Sequence, residues 1–166
     1  MNILELNCYS HKDFDRLCYD NGWNDDYAPE DSAFISIIGT EDSQDKYLGE
    51  KELHWFKENH NNILNLEFDD ISQGILDWNG CRFTGITKEQ ARECVEFIEN
   101  NLGKHFYIHC RAGKSRSQGI VRFILDMYEE NYKTRVDNPC ISPNIYVVGE
   151  LKRAYYKKHN YYETIN

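Results

Sequence analysis

Residues 104–131 read KHFYIHC, RAGKSRS and QGIVRFILDMYEEN in succession. In the first part Phe106 and Ile108 alternate with Tyr107 and His109, the period of a largely buried strand. In the last part Ile120, Val121, Phe123, Ile124, Met127 and Tyr128 fall on one broad helical face. A short basic loop containing Gly113 joins the two. A strand, a tight loop and a helix N-terminus together make an anion site, because unpaired backbone N–H groups and the positive end of the helix dipole converge on one point. Cys110 stands at the entrance of that loop and Arg116 at its exit, with five residues between them.

None of the other five cysteines has an arginine at that offset; they have Phe14, Asn24, Thr87, Asn100 and Tyr146. The run His109, Cys110, Arg111, Ala112, Gly113, Lys114, Ser115, Arg116, Ser117 resembles the His-Cys-five residues-Arg-Ser/Thr signature of the cysteine-dependent protein tyrosine and dual-specificity phosphatases. The residue types suit that chemistry. A thiolate is the nucleophile, so the Cys110 pKa must fall, and the helix N-terminus, the loop amides and Arg116 all favour the anion. Gly113 lets backbone approach a phosphate with no Cβ in the way. Arg116 offers a planar fork to two phosphoryl oxygens, which a lysine could not copy. The resemblance implies that Arg111, Ala112, Gly113, Lys114, Ser115 and Arg116 bind the substrate phosphate. It also implies that Ser117 donates to the Cys110 sulfur and eases its departure from phosphocysteine. His109 holds the loop by hydrogen bonds, or is simply a satisfied core histidine, which amounts to much the same.

Cleaving a phosphate ester also requires a proton for the leaving oxygen. In the family an aspartate upstream of the signature supplies it. The segment ILNLEFDDIS ends a strand and carries Asp69 and Asp70. It resembles the Phe-x-Asp-Ile pattern of some small bacterial and phage-like members, which points to Asp70. Alternation along Leu64, Leu66 and Phe68 points the same way. Asp69 is the alternative and Asp77 a third candidate, and paired aspartates can also simply close a strand in a polar turn. No tryptophan-proline-aspartate sequence occurs, and no counterpart of the phosphotyrosine-clamping or glutamine-bearing loops of the large tyrosine-specific enzymes is seen. The resemblance covers the middle of the chain, residues 63–128.

A length of 166 residues fits one domain with a real core. Aromatic content of 14%, with twelve tyrosines, speaks for a folded globule. A net charge of -9 argues against a general nucleic-acid or anionic-membrane surface. No apolar run reaches membrane length, and residues 1–10 do not read as a secretory leader. Six cysteines without a Cys-x-x-Cys pair argue against a zinc site or a secreted disulfide scaffold, and a thiolate enzyme needs a reducing compartment. The expected setting is the cytoplasm, with free thiols, no metal and no cofactor. A regulatory disulfide between Cys110 and another cysteine stays open.

In chain order, Ile3, Leu4 and Leu6 suggest a first strand. Ser10 opens a helix with Phe14, Leu17 and Cys18 inward, ended by Asn21-Gly22. Residues 23–31 read as loop, 33–38 as a strand closed by Gly39, and 40–50 as a long, solvated acidic connection. Leu53, Trp55 and Phe56 suggest a short helix. Residues 63–68 form a strand and 73–85 read as irregular. Residues 87–102 form the clearest helix, with a Thr87/Gln90 capping box, an inward face of Ala91, Cys94, Val95, Ile98 and Leu102, and Gly103 as its stop. Residues 132–141 read as loop. Ser142 and Pro143 then take the N-cap and first-turn positions of a last helix with Ile145, Val148, Leu151 and Tyr155 on its apolar face and a basic end, residues 152–158. Strands alternate with helices, so the expected fold is α/β, one domain over residues 1–166, with a central mostly parallel sheet, helices on both faces and the loop leaving the C-terminal end of a central strand.

The expected function is hydrolysis of phosphate monoesters through a phosphocysteine intermediate. Phosphotyrosine leads, with phosphoserine and phosphothreonine, in a phosphoprotein bound by a monomer. Basic residues at both Arg111 and Lys114 also resemble phosphoinositide phosphatases, which keeps a polyphosphorylated substrate open. A catalytically silent phosphate-binding module would need loss of the cysteine, arginine or acid, and all three types are present. A rhodanese-type loop is one residue shorter, and the low-molecular-weight tyrosine phosphatases and arsenate reductases carry their cysteine near the N-terminus.

Overall fold

The structure, a computed structural model, describes residues 4–128, 132–134 and 141–161. Five strands form one wholly parallel sheet: β1 (Leu4–Ser10), β2 (Ser32–Ile38), β3 (Ile63–Glu67), β6 (His105–Cys110) and β7 (Tyr132–Thr134). Their spatial order is β3-β2-β6-β1-β7. The chain skips a place between β1 and β2, and β6 later fills the gap. Cys110 therefore ends the central strand, opposite Ser10 of β1, at the kind of crevice where open parallel sheets bind ligands. This bears out the expected α/β architecture and the position of the loop.

Helices cover both faces. On one side α3 (Lys88–Asn100), α4 (Arg116–Tyr128) and α5 (Ile145–Lys158) enclose the main core, built on Leu6, Ile35, Ile37, Leu66, Phe106 and Ile108. On the other, α1 (His11–Asn21) and the segment around Phe56 cover a smaller aromatic core of Phe14, Cys18, Phe34 and Ile63. β2 is buried along its whole length, as a strand covered on both faces must be. The helix ends follow local rules. The Ser10 side chain accepts the Asp13 N–H and Gly22 closes α1 in the left-handed region. Thr87 and Gln90 cap α3 reciprocally, a device worth about 1 kcal/mol. α3 is shorter than expected: Asn101 caps it and Leu102 lies beyond, 39% exposed.

Five other expectations need correction. Residues 40–50 are not a solvated loop: α2 (Glu41–Ser43) runs into a π-helical turn (Gln44–Leu48) with Ser43 and Gln44 buried. Their polar groups are satisfied internally, Ser43 and Thr40 by Asp69, and Gln44 by the Gly39 carbonyl and the Glu52 N–H. The segment around Leu53, Trp55 and Phe56 forms no helix. Asp25 instead accepts the N–H groups of Lys57 and Glu58, so a distant side chain takes the place of helical carbonyls. Residues 73–85 are not irregular. They hold an antiparallel hairpin, β4 (Ile75–Trp78) and β5 (Cys81–Thr84). Asn79 and Gly80 turn it, both at positive φ, 49° and 75°, the backbone of a type I′ turn.

Residues 132–134, expected as loop, add the edge strand β7, where Tyr132 is buried against Phe106. The rest of that expected loop through Pro139 and Cys140 lies outside the described residues. The last helix begins two residues later than expected. Asn144, not Ser142, is its N-cap and accepts the Val147 N–H. That shift turns Val147 and Leu151 inward and leaves Ile145 84% exposed. Among the described residues, no helix is long and apolar enough to cross a membrane.

Candidate active site

The loop of residues 111–115 leaves β6 and ends in the first turn of α4. Its shape depends on Gly113, whose φ is +69°. A Cβ there would stand 2.7–2.8 Å from the backbone of Tyr9 and Ser10, a contact that the paired backbone of β1 could not relieve. The outer edge of the loop is tied down. The His11 N–H donates to the Arg111 carbonyl, Gln118 Nε2 to that of Gly113, Ser142 N–H to that of Lys114 and Asn144 N–H to that of Ser115. With the carbonyls engaged outward, the N–H groups of residues 111–114 donate to no carbonyl of the described residues. Such a row of free donors is what an oxyanion requires.

Cys110 is 2% exposed. Burial pushes its thiol pKa up, but the Arg116 guanidinium, the Ser117 hydroxyl and the N–H groups of Ser117 and Ser115 outweigh burial and leave it below its ordinary value. The Ser117 Oγ lies 3.0 Å from the Cys110 Sγ. Burial pushes Cys8, Cys18 and Cys94 up to about 12, and Cys81 is also raised. Among the described cysteines, Cys110 alone is shifted toward the thiolate. All five are free thiols. Arg116 is buried and anchored by a 2.9 Å bond from Nη1 to the Phe68 carbonyl.

The two adjacent aspartates have separate situations. Asp69 is 4% exposed and accepts from Thr40 N–H, Thr40 Oγ1, Ser43 Oγ and Thr84 N–H. Its oxygens are committed to holding α2 and the β4–β5 hairpin in place. Asp70 is exposed, and its Oδ1 accepts from Ser115 Oγ and Asn144 Nδ2, both at 2.7 Å. The structure thus brings Asp70 to the loop and ties Asp69 elsewhere. Asp77 pairs with Arg82 on the hairpin at 2.8 Å, beside Asp42 and Lys46.

His109 is fully buried, and the burial lowers its pKa to about 3. Its Nδ1 lies 3.2 Å from the Cys110 carbonyl and its Nε2 2.6 Å from Ser36 Oγ, which lies 2.7 Å from His54 Nδ1. A carbonyl only accepts, so Nδ1 of His109 carries the proton and its Nε2 accepts from Ser36. The Ser36 oxygen then accepts from His54 Nδ1–H. Sequence reading missed Ser36, His54 and Asn144; the register that sets Ser36 beside His109 is a property of the folded sheet.

Arg111 turns away from the loop centre toward two carboxylates, with Nη1 3.4 Å from Glu52 Oε1 and Nη2 3.8 Å from Glu50 Oε2. Ala112 and Lys114 are exposed at the rim. Beside the loop opens a cleft of about 310 Å³ containing Arg116, Arg111 and Asp70. No protein-family model matches the chain, and no curated protein matches it.

Proposed function

We propose that this protein is a cysteine-dependent phosphatase that hydrolyses phosphate monoesters, phosphotyrosine foremost with phosphoserine and phosphothreonine, through a phosphocysteine intermediate. The observation that carries the reading is the placement of a thiol shifted toward the thiolate at the foot of a loop of free N–H groups, with a carboxylate tied to the same loop. Substrate phosphate sits in the loop against the N–H groups of residues 111–116 and the Arg116 guanidinium. The Cys110 thiolate attacks phosphorus in line as the ester oxygen leaves, and Asp70 gives that oxygen its proton. Asp70, now ionised, takes a proton from water, which attacks the phosphocysteine. The sulfur departs as thiolate, stabilised by Ser117, and inorganic phosphate is released. The chemistry suits a monomer acting on phosphoproteins in the reducing cytoplasm, where a thiolate persists.

The polyphosphorylated-substrate alternative asks Arg111 to meet a second phosphate. Glu50 and Glu52 already face that guanidinium, and they would repel one.

The test is turnover of p-nitrophenyl phosphate and matched phosphopeptides in the presence of a chelator. Wild-type protein should hydrolyse them and trap radiolabelled phosphate on Cys110 after rapid acid quench. Cys110→Ser should bind the phosphate analogue tungstate and turn over nothing. Substantial hydrolysis by that variant would sink the reading.

A further inference from the structure

Asn144 is a buried amide whose polar atoms all have assigned partners. Its Oδ1 accepts the Val147 N–H and caps α5. Its Nδ2 donates to Asp70 Oδ1 at 2.7 Å and to the Ile71 carbonyl at 3.1 Å. A backbone N–H only donates and a carbonyl only accepts, so these partners fix which end of the amide faces Asp70. The backbone N–H of Asn144 donates to the Ser115 carbonyl at 3.1 Å, and Ser115 Oγ donates to Asp70 Oδ1 at 2.7 Å. Backbone and side chains thus close a triangle of Asp70, Ser115 and Asn144. Gly119 lets it close. A Cβ there would stand 3.0 Å from the Asn144 carbonyl and from Val147, so a larger residue would push the start of α5 away from α4.

Both side-chain bonds fall on the same carboxyl oxygen. Each carboxyl oxygen has two lone pairs, and Oδ1 of Asp70 gives one to Ser115 and one to Asn144. A proton placed on Oδ1 would displace one of those donors. No described residue bonds Oδ2. Asp70 lines the cleft that also holds Arg116, and Oδ2 is the oxygen that remains for a substrate there. A carboxyl with no such ties turns about its Cβ–Cγ bond and offers either oxygen. Two donors from two different elements stop that rotation and hold the acid proton at one place.

Building on the phosphatase reading, we propose that Asn144 and Ser115 are positioning residues of the proton transfer, which hold Oδ1 of Asp70 so that Oδ2 alone gives and receives the proton. In the first step the Cys110 sulfur bonds phosphorus, the P–O ester bond breaks, and the leaving oxygen takes the proton from Oδ2. In the second the ionised Oδ2 takes a proton from water, the water oxygen bonds phosphorus, and the sulfur leaves as thiolate. Oδ1 keeps both donors throughout, so the carboxylate does not reorient between its work as acid and its work as base. The N-cap of α5, 74 residues downstream of Asp70, thereby belongs to the active site.

The experiment reads leaving-group dependence. Serine is itself a good N-cap, so Asn144→Ser keeps α5 capped while its shorter side chain no longer reaches Asp70; circular dichroism and Tm check the fold. Phosphocysteine formation is followed by rapid quench for p-nitrophenyl phosphate, phenyl phosphate and phosphoserine, whose leaving oxygens need progressively more protonation. Asn144→Ser should slow formation about tenfold for phenyl phosphate and phosphoserine, a part of the roughly 10²–10⁴-fold that a placed acid supplies. For p-nitrophenyl phosphate the loss should be about threefold or less, because that leaving group calls on the acid least. Ser115→Ala should show the same pattern, and Ser115→Thr, which keeps a hydroxyl, should recover most of the loss. In the Asp70→Ala background Asn144→Ser should add nothing, because both changes act through one carboxylate. An equal loss for all three substrates, or a further loss of the same size on top of Asp70→Ala, would assign Asn144 to the scaffold and overturn the positioning role while leaving the phosphatase reading intact. No phosphocysteine and no turnover of any of the three by the wild type would overturn that reading, and the role with it.

Discussion

Ser115 Oγ donates a 2.7 Å hydrogen bond to Asp70 Oδ1 across a sequence separation of 45. The bond joins the loop of residues 111–115 to a carboxylate upstream of it in the chain. Asn144 Nδ2 donates to the same oxygen, so the N-cap of α5 fixes the geometry from a third direction. Asp70→Ala is expected to lower kcat by about 10²–10⁴-fold and to remove the basic limb of the pH–rate profile. The loss should be smaller for p-nitrophenyl phosphate than for phosphoserine, because a good leaving group needs less protonation. Steady-state rates on both substrates across pH check this, and an intact basic limb in the variant would refute the role.

Ser117 holds its hydroxyl 3.0 Å from the Cys110 sulfur and lowers the thiol pKa. kcat/KM should rise with pH as Cys110 ionises. Removing the donor in Ser117→Ala raises the Cys110 pKa, so that acid limb should move to higher pH. Breakdown of phosphocysteine should slow as well, because the departing sulfur loses a stabilising donor. Iodoacetate alkylation rates against pH measure the first effect and burst kinetics the second. An unmoved alkylation profile would exclude Ser117 from this work.

The loop and its flanking elements were legible in sequence because strand, glycine turn and helix face are all local signals. Cys110, Arg116 and Ser117 needed only their spacing. Asp70 was separable from Asp69 only in part, since both sit at one strand end; the fold distinguishes them through Thr40, Ser43 and Thr84, which take Asp69. The hairpin carried its signal in Asn79-Gly80, but its strands are four residues each and β4 is exposed throughout, so alternation had nothing to report. The acidic run at 40–50 looked solvated because burial of Ser43 and Gln44 depends on partners far away in the chain. The aromatic side of the cleft, Tyr47 with Trp78 and Phe83, therefore comes from the two stretches that sequence describes worst.

Ser36 is the hinge of the buried His109–Ser36–His54 chain. Burial lowers His54 to about 4 and His109 to about 3, below the ordinary histidine value of about 6.5. The unfolded chain binds protons first as pH falls. Their contribution is therefore fully present above pH of about 6.5 and is lost as pH drops toward the folded-state values, about 4 and 3. Tm should fall across that window. His54→Gln, which keeps a donor for Ser36, should flatten the slope, while Ser36→Ala should cost about 1–3 kcal/mol at neutral pH by leaving two ring nitrogens unpaired. Thermal denaturation of the three proteins between pH 7 and pH 4 checks both; parallel curves for wild type and His54→Gln would refute the linkage.

Arg111 and Lys114 make the loop rim basic, and two uses of that charge predict different data. If the pair grips a second phosphate, Arg111→Ala with Lys114→Ala should selectively depress turnover of phosphoinositides and spare phosphotyrosine. If the charges only raise the local potential, every substrate should weaken alike. The Arg111 guanidinium lies 3.4 Å from Glu52 Oε1 and 3.8 Å from Glu50 Oε2, so a second phosphate arriving there meets two carboxylates before it meets a free cation. Freeing Arg111 would cost those contacts, a loss the loop phosphate never incurs. The expected result is a uniform drop of about threefold to tenfold in kcat/KM, the size of two partly screened charges near the phosphate. Glu50→Gln with Glu52→Gln supplies the converse: releasing Arg111 from its partners should raise kcat/KM for an inositol bisphosphate relative to phosphotyrosine. A wild-type phosphoinositide rate far above the phosphopeptide rate, abolished by the double alanine variant, would instead establish the second-phosphate role.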